Sequence, residues 1–125
     1  NEGDREAMFS LGLSYELGQG VEQDDVKAAL WYEQSAQLGS GAGMNNFAEL
    51  LAKGRGVPKD LGKALEWYRK AADLGNVYAL YNMGWYLEKA GNLEKARACY
   101  EQAKAENMDS ALRAFIISMM WRTSL

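Results

Sequence analysis

The sequence predicts an all-α solenoid built from three helix–turn–helix repeats and a closing helix. The stretch Gly20–Gly39 (GVEQDDVKAALWYEQSAQLG) returns 36 residues later as Gly56–Gly75 (GVPKDLGKALEWYRKAADLG). Apolar residues in each copy recur at helical spacing, and no segment shows the alternating pattern of a half-buried strand. A repeat of this period is typical of stacked helical arrays, which favours a binding function over catalysis.

The first helix of each repeat carries one apolar face. In the first repeat Ala7, Leu11 and Tyr15 are spaced i, i+4 and i+8, which places them on the same side of a helix. A small residue recurs beside this face, as Gly12, Ala48 and Gly84. A mid-helix glycine costs about 1 kcal/mol relative to alanine, so its recurrence indicates that helices cross closely there.

Polar residues predict where the helices begin. Asp24, Asp60 and Asn92 precede the second helices, and Asp4, Ser40 and Asn76 precede the first helices. These residue types accept hydrogen bonds from first-turn amides. The loop glycines Gly18, Gly20, Gly54 and Gly56 permit the positive φ of a chain reversal. The predicted helices are 4–17, 25–38, 41–53, 60–74, 77–89, 93–106 and 109–122.

We expect a single domain over residues 1–125. Its parts are repeat 1 at about 4–39, repeat 2 at about 40–75, repeat 3 at about 76–107 and a C-terminal helix at about 108–125. Cys99 occupies the repeat position of Trp31 and Trp67, so all three are predicted core residues. One cysteine cannot form an internal disulfide.

The repeat pattern closely resembles a known family. The first repeat reads A-x-x-x-L-G-x-x-Y-x-x-G-x-G-V from Ala7 to Val21, then D-x-x-K-A-x-x-W-Y-x-x-x-A-x-x-G from Asp24 to Gly39. This is similar to the Sel1-like repeat, a relative of the tetratricopeptide repeat. The third repeat, with its short loop at 88–92, looks more like an ordinary tetratricopeptide repeat. The resemblance implies a right-handed solenoid.

The resemblance also implies a concave groove lined by the first helix of each repeat. The predicted partner-binding residues are Phe9, Leu13, Glu16, Asn45, Asn46, Glu49, Tyr78, Tyr81, Asn82, Trp85, Glu88 and Trp121. We expect Asn45 and Asn46 to be exposed. Their carboxamides can both donate hydrogen bonds to a partner backbone and accept them from it. Tyr81 and Trp85 have two interpretations: binding anchors, or aromatic side chains that pack between repeats.

Composition argues against a catalytic or metal site. The chain has no histidine, and its Cys and carboxylates lack metal-ligand spacing. We therefore predict no catalytic residue, metal or cofactor. A net charge of −3 gives no footprint for nucleic acid. Residues 1–38 hold eight acidic and two basic residues. This excess is either a solvated face or a surface that steers a basic partner.

The predicted partner is another protein or a peptide. The longest apolar run, Ala114–Ile117, is too short to span a membrane. The apolar C-terminal helix, which includes Trp121, could instead support self-association or another contact. The lone Cys99 favours a cytoplasmic location over the cysteine-paired secreted branch of the family. The main hypothesis is a non-catalytic interaction module. The alternatives are a bacterial immunity protein that occludes a toxin and, disfavoured by the missing histidine, an enzyme.

Overall fold

The computed structural model describes residues 2–107, and this part of the chain contains six α-helices joined by turns. They are α1 Glu2–Leu17, α2 Asp25–Gln37, α3 Gly41–Lys53, α4 Leu61–Asp73, α5 Val77–Lys89 and α6 Leu93–Glu106. The predicted bounds are confirmed to within two residues. The predicted closing helix, with Trp121, lies outside the described residues. The chain divides into two compact units after Asn76.

Side-chain caps begin four of the helices, as their positions in the repeat predict. The carboxylates of Asp24 and Asp60 accept from the backbone amides of Lys27 and Lys63 at 3.1 and 3.0 Å. The corresponding residues of α3 and α6 are Ser40 and Asn92, which accept at 3.0 and 3.4 Å. Asp4 is not a cap, because α1 begins at Glu2 and places Asp4 inside the first turn. An acid there still interacts favourably with the helix dipole.

The turns inside the first two repeats depend on glycine. Gly18, Gly20, Gly54 and Gly56 have φ of 68°, 77°, 69° and 74°. Side chains with a Cβ rarely adopt this region. The predicted positive φ at these positions is therefore confirmed, and both loops reverse the chain by the same backbone geometry.

Residues 1–76 form a unit of two hairpins, α1 with α2 and α3 with α4, joined by contacts of α3 with α2 and α1. Tyr32 and Tyr68 are fully buried, and the Tyr32 ring occupies the space that a Cβ on Gly12 would need. The predicted close crossing at Gly12 is thus confirmed. Trp31 and Trp67 are only half-buried, so the adjacent tyrosines form the centre of each hairpin.

The second unit contains the α5–α6 hairpin. Ala79, Leu80 and Met83 bury one side of α5. A Cβ on Gly84 would lie 2.7 Å from the Tyr100 ring, so this glycine repeats the close crossing of the first hairpin. Cys99 is buried, as predicted, and forms no disulfide among residues 2–107. None of the helices among residues 2–107 is both long and apolar enough to cross a membrane.

Candidate interaction surface

In the first unit, predicted groove residues of α1 and α3 meet around the hydroxyl of Tyr32. This hydroxyl donates a 2.6 Å hydrogen bond to Glu16, and the Tyr32 ring lies 5.8 Å from that of Phe9. Asn46 also bonds the hydroxyl, and the charge of Glu49 acts on it. Burial, followed by the bond to Glu16, raises the pKa of Tyr32 well above that of a free phenol. Four of the predicted residues are therefore brought together here.

Arg55 extends this cluster from the loop between α3 and α4. Its guanidinium binds Asp25 at 3.0 Å and Glu16 at 3.3 Å. The hydrogen bond to Asp25 raises the pKa of Arg55, and the charges of Asp25, Glu16 and Glu49 act in the same direction. The sequence pattern predicts turn chemistry for Gly54 and Gly56 and gives no role to Arg55 between them. A detectable signal was its basic charge where repeat 1 has Gln19.

Glu16 is therefore less available to a partner than predicted. Its two oxygens already bond Tyr32 and Arg55, and its side chain is 18% exposed. Glu49 is more open at 37% and pairs with Lys53 at 2.7 Å along α3. A partner would meet Glu49 and Lys53 first, because their ion pair lies on the surface.

The expected exposure of Asn45 is wrong, since the residue is only 9% exposed. The physical reason is the central place of α3, which packs against α1, α2 and α4. Asn45 donates to the Asn46 oxygen at 3.3 Å, while Asn46 itself is half-buried. Of the two carboxamides, Asn46 is the more exposed, and the buried Asn45 holds it through this hydrogen bond.

Phe9 also borders an open cleft of about 580 Å³ at the end of the first unit. The cleft is lined by Arg5, Glu6, Phe9, Gly39, Ser40, Gly41, Ala42, Leu74, Gly75 and Asn76. Arg5 was not predicted as a surface of interest. Its backbone carbonyl accepts from Ser35, while its guanidinium reaches Glu2 at 3.4 Å. Leu13, the remaining predicted residue of α1, is half-buried.

In the second unit, α5 exposes an aromatic stripe. Tyr78, Tyr81 and Trp85 are spaced i, i+3 and i+7 on one side of the helix, with exposures of 75%, 39% and 47%. Asn82 is half-buried beside them. Binding anchors and packing between repeats therefore both remain interpretations of Tyr81 and Trp85.

Neighbouring side chains hold parts of the stripe in place. The ammonium of Lys89 lies 4.5 Å from the centre of the Trp85 ring, and Tyr86 meets the same ring edge-on at 4.8 Å. Tyr81 lies 6.4 Å from Tyr100. The hydroxyl of Tyr100 donates to Glu88 at 3.0 Å. These contacts restrain the rings before any partner arrives, which lowers the entropy cost of binding.

Among the described residues, no three His, Cys, Asp or Glu side chains are grouped to hold a metal ion. The charged groups of the first unit are arranged as ion pairs and tyrosine hydrogen bonds. The tyrosine and tryptophan of the stripe on α5 are residue types enriched at protein–protein interfaces.

The chain is similar to repeat proteins of known type. The Sel1 repeat model matches residues 5–40 and 41–76, and the tetratricopeptide repeat model matches residues 77–110. Repeats of both types generally mediate protein–protein interaction and are typically non-catalytic. No curated protein matches the chain.

Two solved structures show the same fold. A Sel1 repeat protein from Oxalobacter formigenes has 31% identity and a TM-score of 0.75 over 85% of this chain and 45% of that one. The protective antigen c5321 of uropathogenic Escherichia coli, which displays an SLR fold, has 28% identity and a TM-score of 0.76, over 99% and 27%. The chain thus spans less than half the length of either protein. With two Sel1 matches over more than half its residues, this chain belongs to the Sel1 repeat family.

Proposed function

We propose that this protein is a non-catalytic interaction module, which binds a protein or peptide through the groove sides of its first helices. The observation that carries the proposal is the exposed stripe of Tyr78, Tyr81 and Trp85 on α5. Tyrosine and tryptophan are enriched among residues that dominate binding energy. Exposed rings at successive turns of one helix provide apolar area together with hydroxyl and indole donors.

The first unit supports the same proposal with a different surface. Phe9 on α1 and Asn46 and Glu49 on α3 all lie near Tyr32. Phe9 also lines the cleft. This surface offers an aromatic ring, a carboxamide and a carboxylate, which suit a peptide backbone and a basic side chain. A partner large enough to reach these groups would be a protein or an extended peptide.

The proposal is tested by capture of partners from a lysate with variants of the stripe. We expect Tyr81→Ala with Trp85→Ala to lower partner recovery at least tenfold, because each lost anchor costs about 2 kcal/mol. The matched control is Val26→Ala with Leu30→Ala, which removes two apolar side chains of α2 that are 57% and 53% exposed. Circular dichroism checks that all variants stay helical. Equal recovery with both double variants would contradict the proposal.

The immunity-protein alternative remains a prediction. Its sequence argument was the acidic excess of residues 1–38, but Arg55 neutralises part of that excess at Glu16 and Asp25. A single stoichiometric partner with toxin activity would favour it. A cytoplasmic location and self-association through the C-terminal segment also remain predictions. The burial of Cys99 outside any disulfide supports a cytoplasmic location. Residues 108–125, on which self-association depends, lie outside the described part of the chain.

A further inference from the structure

We propose that Arg55 is an electrostatic lock that fastens the first hairpin, α1–α2, to the second hairpin, α3–α4. The lock sets how often the first hairpin separates from α3. This inference concerns the coupling between two repeats and goes beyond the proposed binding function. It can be tested without any partner.

The geometry of the lock links three segments of the first unit. Arg55 belongs to the loop of the second hairpin, whereas Glu16 lies in the last turn of α1 and Asp25 is the first residue of α2. Two guanidinium nitrogens reach Asp25, at 3.0 and 3.4 Å, and a third reaches Glu16 at 3.3 Å. One planar cation thus joins both helices of the neighbouring repeat. Arginine suits this role because its donors form a rigid fork.

The loop backbone holds the guanidinium in place. Gly54 and Gly56 flank Arg55 with positive φ. A Cβ on Gly56 would run into the backbone carbonyl of Asp25, so the loop lies directly against the start of α2. Less side-chain entropy is lost in forming the ion pairs when the backbone already places Arg55 beside its partners.

The charged residues at this junction each have an uncharged counterpart at the aligned position of the other repeat. The counterpart of Arg55 in repeat 1 is the neutral Gln19. The counterparts of Glu16 and Asp25 in repeat 2 are Ala52 and Leu61, which carry no charge. The two acids therefore occur only in repeat 1 and the arginine only in repeat 2, as an ion pair between the two repeats requires. Turn chemistry requires only the flanking glycines and does not explain this match.

The lock responds to salt rather than to ordinary changes of pH. Glu16, Asp25 and Glu49 face Arg55 from α1, α2 and α3, and Lys53 balances Glu49. Arg55 stays protonated at any ordinary pH, because arginine does not lose its proton in proteins. The side chains of Arg55, Asp25 and Glu16 are 36%, 31% and 18% exposed, so added salt screens the ion pairs in part.

In a repeat array, the coupling between neighbouring repeats contributes directly to stability. In such proteins stability is a sum of repeat terms and nearest-neighbour interface terms. Loss of the lock weakens one interface term, so the first hairpin should open more often while the second hairpin stays closed. The surface shared by α1 and α3, which includes Phe9 and Asn46, would then lose its fixed spacing.

The test is hydrogen exchange of the whole chain, read separately for α1–α2 and α3–α4. We expect Arg55→Gln to speed exchange in α1–α2 about fivefold relative to α3–α4, as for the loss of two partly exposed ion pairs. The matched control is Lys59→Gln in the same loop, whose exposed ammonium forms no ion pair among residues 2–107. It should leave the ratio unchanged. A uniform change across both hairpins in Arg55→Gln would overturn the proposal.

Two further measurements separate a lock from a general loop defect. In the Asp25→Asn background, Arg55→Gln should have less than half its effect, because one of its two partners is already gone. Arg55→Lys should restore part of the protection, since an ammonium can bind one carboxylate at a time. An effect of Arg55→Gln that is the same with and without Asp25, and the same in 0.5 M salt (roughly a 4 Å screening length), would sink the idea.

Discussion

The ring of Tyr32 packs against α1 at Gly12, which has no side chain. A Cβ on Gly12 would overlap ring carbons of Tyr32, and the same ring carries the hydroxyl that binds Glu16. The glycine therefore fixes the distance between the helices, and that distance decides which groove residues the hydroxyl can reach. Gly84 and Tyr100 repeat this arrangement in the second unit, with Glu88 in the place of Glu16.

Substitution of Gly12 should destabilise the fold although alanine is the better helix former. Gly12→Ala forces the methyl group against Tyr32, and we expect a loss of about 1–3 kcal/mol of unfolding free energy. The control is Gly62→Ala in α4, where the nearest atom to a new Cβ is an Asp60 oxygen at 3.6 Å. That change should stabilise by about 0.5–1 kcal/mol. Urea denaturation measures both; equal effects would contradict the close crossing.

Single positions differed in how far the sequence could predict them. The positive φ of the loop glycines followed from local chemistry, and the structure confirms it at Gly18 and Gly54. The burial of Asn45 depends on three helices that converge on α3, which no local pattern reports. Arg55 was missed for the same reason, because its partners Glu16 and Asp25 are 39 and 30 residues away.

The sequence predicted the helix boundaries better than any other feature of the fold. The caps at Asp24, Asp60 and Asn92 act within their own first turn, so the repeat pattern was enough to place them. Asp4 failed as a cap because residues before it also adopt helical geometry. The stripe on α5 was predicted by position, but its exposure could be judged only from the three-dimensional packing around Tyr81 and Trp85.

Removal of a cap should weaken the second hairpin by a measurable amount. Asp60 accepts from the amide of Lys63 at 3.0 Å, and Asp60→Ala leaves that amide without its side-chain acceptor. We expect a loss of about 1 kcal/mol in thermal or urea unfolding. Asp73→Ala, at the last residue of α4, is the control. A negative charge is unfavourable at that end, so its removal should not destabilise. A loss equal to that of Asp60→Ala would refute the cap assignment.

In the molecule as a whole, the repeats account for the fold and support the proposed binding function. Tyr32 packs against Gly12 and Tyr100 against Gly84, while Tyr68 is fully buried in the α3–α4 hairpin. The repeats differ mainly in what they leave exposed. Residues 1–76 present charged and carboxamide groups with Phe9, whereas α5 presents aromatic rings. A scaffold that is constant inside and variable outside is typical of binding arrays. The sequence predicted the constant part, and in the proposed function the variable part selects the partner.

The measurement that tests the interaction surface most directly is site-specific photo-crosslinking in lysate. A benzoylphenylalanine side chain replaces Tyr81 on α5 in one protein and Leu30 on α2 in another; these residues are 39% and 53% exposed. We expect discrete protein adducts from position 81 that are lost with Trp85→Ala, and none from position 30. Adducts from position 30 alone, or equal adducts from both positions, would contradict it.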